Sequence, residues 1–264
     1  MHSLNVLIVC SKESKYFNYI RNSKYINKLY TTSPVEQDKT ITITFNTFQE
    51  LTEKCKALQI DIVLVEEEKW ILQGIADVMK KNYINCFAPT SKWTNLALYN
   101  SFTNSLLLKY DINIPPQTLL PTEFPVLVKA DGILRKANSL QEIIAIKKEI
   151  FETSPEIAKT VYIEELLKST KHKIISVFDG KNLYTFNDKH INNELLNEYS
   201  AKLEKLLQCE DADFMGFINS DLIEENGLLY NAGFSFEFVK PDCDIDLLYV
   251  LQLAIYQKLD EIKK

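Results

Sequence analysis

The chain has 264 residues, 46% hydrophobic and 25% charged, an ordinary composition for a globular protein, and its length suits two modest subdomains sharing cores or one large α/β unit. Its net charge of −6 offers no general basic face, which argues against a nucleic-acid partner, and no apolar run reaches the ~18 residues of a membrane span. Five scattered cysteines have no C-x-x-C spacing and three histidines form no local ligand motif, so the expectation is a reducing, cytoplasmic setting without disulfides or zinc.

The N-terminus opens on a buried strand, Asn5 to Val9, with neither the basic lead nor the small-residue cleavage site of a signal peptide. Cys10 to Lys15 lies where a strand-to-helix loop belongs, and Tyr16 to Leu29 reads as a polar helix rich in Asn and Lys. Ile41 to Phe45 alternates as a strand does. Phe48, Leu51, Cys55 and Leu58 recur at helical spacing, and Asp61 to Val65 is a further buried strand. This alternation predicts a parallel, doubly wound sheet. Glu66-Glu67-Glu68-Lys69 then opens a helix whose dipole favours carboxylates at its start.

Pro125 to Val128 is a short apolar run ending in Lys129, with a turn signal at Asp131-Gly132. An ammonium at the end of a buried strand needs water or an anion. Lys129 therefore either snorkels to the surface or holds a phosphate. Arg135 and Lys136 read as exposed cations at a turn, and Ser139 with Glu142 forms a capping box on a helix reaching Phe151. Thr160 to Leu167 is a strand ending in acids. Lys173 to Phe178 leads into a hairpin turn at Asp179-Gly180, a helix spans Glu194 to Leu207, a second hairpin turns at Asn226-Gly227, and Asp242 to Ile262 is a closing helix. Only six glycines are present, few for wrapping backbone amides around phosphates.

Pro125-Val126-Leu127-Val128-Lys129-Ala130-Asp131-Gly132 resembles Pro-x-Val-Val-Lys-Ala-Asp-Gly, the motif of the ATP-grasp module in the glycinamide ribonucleotide synthetase (phosphoribosylamine–glycine ligase) family. Colinear with it, Asn85 to Thr90 resembles Val-Phe-Gly-Pro-Thr, and Tyr162-Ile163-Glu164-Glu165-Leu166-Leu167 resembles the hinge Val-Ile-Glu-Glu-Phe-Leu. The resemblance implies an α/β fold, with an N-terminal doubly wound parallel-sheet domain over residues 1–90. An ATP-grasp module over 91–264 would follow, with a small lobe at about 118–170. It implies ATP as the small-molecule partner, bound by Lys129, Asp131, Gly132, Glu164, Glu165, Leu166 and Leu167, in a ligase that joins a carboxylate to an amine in purine biosynthesis.

The charged positions depart from the family. Two family lysines, the first reaching ATP phosphate, correspond to Asn100 and Asn104, and only Ser11 survives of the first glycine-rich loop. The magnesium-chelating Glu and Asn correspond to Asn231 and Gly233, so magnesium is not expected in the family's manner. The glycine loop after Gly132 and the segment Gly-Pro-Asn-Thr-Gly-Gly-Met-Gly have no counterpart. No catalytic residue or protein partner is assigned. The preferred reading is a degenerate paralogue with at most weak nucleotide binding; an active carboxylate–amine ligase and a non-catalytic scaffold are the alternatives.

Overall fold

The computed structural model describes residues 3–12, 14, 16–33, 40–237, 241 and 245–262. Its first layer is a parallel sheet of β1 (Leu4–Val9), β2 (Ile26–Thr31), β3 (Thr40–Thr42), β4 (Ile62–Val65) and β5 (Cys86–Phe87), in the order β3-β2-β1-β4-β5. Helices α1 (Phe17–Ile20), α2 (Phe48–Ala57), α3 (Glu68–Leu72) and α4 (Ile75–Lys81) complete it. Successive side chains of a strand point to opposite faces, and both faces of β1 are covered. Leu4, Val6 and Ile8 enter one core, while Leu7 and Val9 enter another beside Leu51 and Met79. That two-sided burial explains why β1 and β4 read as continuous apolar runs.

Helices α5 (Asn95–Leu98) and α6 (Asn100–Lys109) lead into an antiparallel sheet of β6 (Gln117–Thr118), β7 (Val126–Ala130), β8 (Ile133–Ala137) and β9 (Tyr162–Glu165), ordered β6-β9-β7-β8. Between β8 and β9 run α7 (Leu140–Thr153) and α8 (Pro155–Ala158). This outer lobe has its own small core of Val126, Val128, Ala137, Ile143 and Ile163. A third sheet, ordered β11-β10-β12-β13, contains β10 (Thr170–Phe178), β11 (Leu183–Thr185), β12 (Gly216–Glu225) and β13 (Leu228–Ser235). Helix α9 (Asn193–Cys209) packs on one face, where Leu203 and Leu206 meet Ile174, Phe178 and Ile218. From the other face Ile175, Val177 and Phe217 join the core of the parallel sheet together with α10 (Leu247–Ile255).

Three elements differ from the sequence reading. Residues 16–29 do not make one helix: α1 ends at Ile20, and β2 runs to Thr31 because Leu29, Tyr30 and Thr31 are buried alongside β1. Arg135 and Lys136 are exposed as read, but they lie on strand β8 rather than at a turn. The closing helix is shorter, with Asp246 accepting from the Leu248 N–H at 3.0 Å as its cap; the expected start at Asp242 lies outside the described residues. Among the described residues no helix is long and apolar enough to cross a membrane.

Candidate functional site

Strand β7, which continues one residue past Lys129 to Ala130, is held between β8 and β9, and its register places Leu127 opposite Glu164 and Lys129 opposite Tyr162. Directly opposed residues share a face, as do residues two apart, so Lys129, Glu164 and Tyr162 all project from one side of the outer lobe. Lys129 is only 4% exposed. Its Nζ donates to both carboxylate oxygens of Glu164, at 2.7 and 2.9 Å, and to the Ala232 carbonyl of β13 at 3.4 Å. The lysine thus reaches neither bulk water nor an open anion seat: its counter-ion is a carboxylate of the neighbouring strand. Burial pushes the Glu164 carboxyl above its ordinary range, with the Lys129 charge opposing that rise.

The two asparagines flank this pair. Asn100 Nδ2 donates to the Ala130 carbonyl at 3.1 Å, and Asn104 hydrogen-bonds the Tyr162 hydroxyl, whose phenol is pushed well above its ordinary value by burial. Asp131 turns toward α6, accepting from the Ser101 N–H at 2.9 Å and the Ser101 hydroxyl at 2.7 Å, which ties the hairpin to the start of that helix. Gly132 sits at φ +73 in the β7–β8 turn, a left-handed conformation that favours glycine. Glu165, Leu166 and Leu167 lie elsewhere, lining a cavity of about 310 Å³ with Phe124, Pro125 and Glu225. The seven residues named from the sequence therefore occupy three places: a buried ion pair, a helix-capping turn and a hinge cavity.

On β13, Asn231 is 2% exposed and its Nδ2 donates to the Tyr199 hydroxyl of α9 at 2.7 Å. Its Oδ1 accepts from the Gly233 N–H at 3.0 Å. A bulge between Asp221 and Leu222 sets this register, pairing Leu222 with Asn231 and Asp221 with Gly233. Asn231 therefore faces the helix layer. On the opposite face Lys173 lies 3.7 Å from Asp221 and 3.2 Å from Glu237. The sequence reading did not single out this cluster; alternation along β10 separates Lys173 from buried Ile174 and was the available signal.

The turn after β1 is self-satisfied in the same way. The Ser11 N–H and hydroxyl both donate to the Glu67 carboxylate, which also pairs with Lys69 at 2.6 Å. Against the burial that would raise it, the Lys69 and Ser11 bonds hold this carboxyl below its ordinary value. A second cavity, of about 490 Å³, is lined by Glu66, Glu68, Leu98, Phe234 and Glu237 among others, and among the described residues no lysine or arginine lies in its wall. Among the described residues no group of three or more His, Cys, Asp or Glu side chains is placed to hold a metal.

A parallel α/β layer followed by two antiparallel sheets facing each other across Lys129 is the architecture of the ATP-grasp ligases. Solved structures with this fold include phosphoribosylamine–glycine ligase from Thermotoga maritima, with TM-score 0.71 and 14% identity over 98% of this chain and 76% of that one. D-alanine–D-alanine ligase from Bacillus anthracis complexed with ATP matches at TM-score 0.56 and 17% identity, over 98% and 95% of the two chains. Within that class the chain is similar in sequence to phosphoribosylamine–glycine ligases. It is 23% identical to the Caldanaerobacter subterraneus enzyme, across 84% of this chain and 66% of that protein, and 23% identical to the Fusobacterium nucleatum enzyme, across 98% and 75%. The Clostridium acetobutylicum enzyme is matched over 57% of this chain and 41% of its own length. The chain thus spans only part of these relatives. No family profile matches it.

Proposed function

We propose that this chain is a phosphoribosylamine–glycine ligase-like protein that clasps a nucleotide weakly and no longer carries out ligase chemistry. The observation that carries the reading is the buried Lys129–Glu164 pair. Phosphoryl transfer to a carboxylate depends on cations that neutralise the transferring group. Here the retained lysine is already neutralised by a carboxylate at 2.7 Å, and the two further lysine positions of the family hold asparagines engaged with backbone and phenol.

Magnesium fits poorly at the family's positions. Asn231 supplies a neutral amide turned toward α9, and Gly233 has no side chain, so neither offers the anionic oxygen that this ion prefers. The hinge cavity beside Leu166 and Leu167 supports nucleotide binding over a purely structural scaffold, because Phe124, Pro125, Val126 and the two leucines offer an apolar seat for a planar base within a wall that also carries Glu123, Glu165, Lys168 and Glu225. Isothermal titration with ATP, with and without magnesium, tests this reading. Weak binding that magnesium does not strengthen is the expected result. Formation of ADP and phosphate dependent on phosphoribosylamine and glycine would overturn it in favour of an active ligase. No heat at millimolar ATP would leave the scaffold reading.

A further inference from the structure

Strand β8 is the outermost strand of the outer lobe, and among the described residues no strand pairs with its far edge. An open edge presents unpaired backbone N–H and C=O groups, ready to accept another extended chain. The same lobe gathers exposed apolar side chains. Leu134 of β8 is 56% exposed, and on α7 Ile144 is 67% and Phe151 66% exposed, with Leu140 exposed as well. Leu140, Ile144, Lys147 and Phe151 are spaced four, three and four residues apart, so they form one stripe along α7. Solvent-facing apolar side chains aligned along one helix face in this way mark an interaction surface rather than scattered exposure.

The charges around the patch select the occupant. Arg135 and Lys136 on β8 and Lys147 on α7 have no carboxylate within ion-pair distance among the described residues, in a chain whose net charge is −6. The nearby acids are engaged elsewhere: Glu142 accepts from the Asn138 N–H at 2.8 Å, and Glu152 faces Lys148. Two copies of β8 pairing edge to edge would bring their cations together, which disfavours self-association. An acidic strand meets no such penalty. We propose that the outer edge of β8, with the exposed stripe of α7, docks an extended acidic segment of another protein by strand addition, with apolar side chains alternating between its carboxylates.

An eight-residue peptide alternating glutamate and valine is the probe, and its lysine–valine counterpart is the control. Hydrogen exchange on the full chain should show slowed amides confined to residues 133–137 with the acidic peptide and no change with the basic one. Charge reversal, Arg135→Glu with Lys136→Glu, should weaken the acidic peptide by about threefold, because these neighbours on β8 point to opposite faces and carboxylates on one face of the peptide meet only one of them, and should admit the basic peptide. The wild-type exchange measurement stands even if that variant is unstable. Absence of slowed exchange at millimolar peptide, or equal binding of both peptides, would overturn the proposal. So would a concentration-dependent dimer that protects 133–137, since the occupant would then be a second copy.

Discussion

Replacing Lys129 by methionine leaves the Glu164 carboxylate buried without its counter-ion. Both side chains are 5% exposed, so solvent cannot substitute for the missing charge, and the remaining acceptor bonds of Glu164 have no replacement donor from Lys129. Breaking a buried pair from one side costs about 3–5 kcal/mol. Replacing both partners, with Lys129→Met and Glu164→Leu together, should recover most of that loss, because apolar substitutes of similar volume carry no desolvation penalty. The single variant also carries a pH signature. Burial already raises the Glu164 carboxyl, and losing Lys129 removes the interaction opposing that rise. Between the ordinary carboxylate pKa and this raised value the native state binds more protons than the unfolded chain, so stability falls as pH rises through that window and then levels. Lys129→Met should therefore be less destabilising near pH 5 than near pH 8. Urea unfolding of the two single variants and the double variant at both pH values measures this coupling. A single-variant loss below about 1 kcal/mol, or a double variant as unstable as the sum of the singles, would refute a tight buried pair.

Three other substitutions probe positions outside the ion pair. Asp131→Ala removes two acceptor bonds at the start of α6 and should lower stability by about 0.5–2 kcal/mol, read by thermal unfolding. Ser139→Ala, which deletes the acceptor 3.2 Å from the Glu142 N–H, should cost about 1 kcal/mol, with exchange speeding first in α7. Tyr199→Phe strands Ser220 and Asn231, each bonded at 2.7 Å to the hydroxyl, and should cost about 1–3 kcal/mol in urea while leaving ATP titration unchanged, because Asn231 faces the helix layer.

The parallel layer was legible because two-sided burial writes itself as unbroken apolar runs such as Ile62–Val65. The α7 start was equally plain, since a capping box needs only residues three apart. Lys129 stood out as a cation at a strand end, but its partner lies 35 residues away on another strand, and sequence spacing carries no register between strands. The same limit concealed the orientation of Asn231, which the bulge at Asp221 sets by inserting a residue that parity alone cannot anticipate. Helix α1 failed to extend for a tertiary reason: the chain from Ile26 onward had a strand position waiting beside β1.

Met215 bridges the backbones of Phe87 and Ala88, at the very edge of β5, and Gly216 beside it leaves room for Ala88 to approach. The parallel sheet and the β10–β13 sheet consequently bend as one plate, because parting them would tear that seam and split a shared interior. The outer lobe is fastened differently, through Lys129 on Ala232, Asn100 on Ala130 and the Asp131 clasp on Ser101. Slow swinging of the molecule should thus be that of a flap on two strips of chain, residues 111–116 and 166–169, against a stiff base.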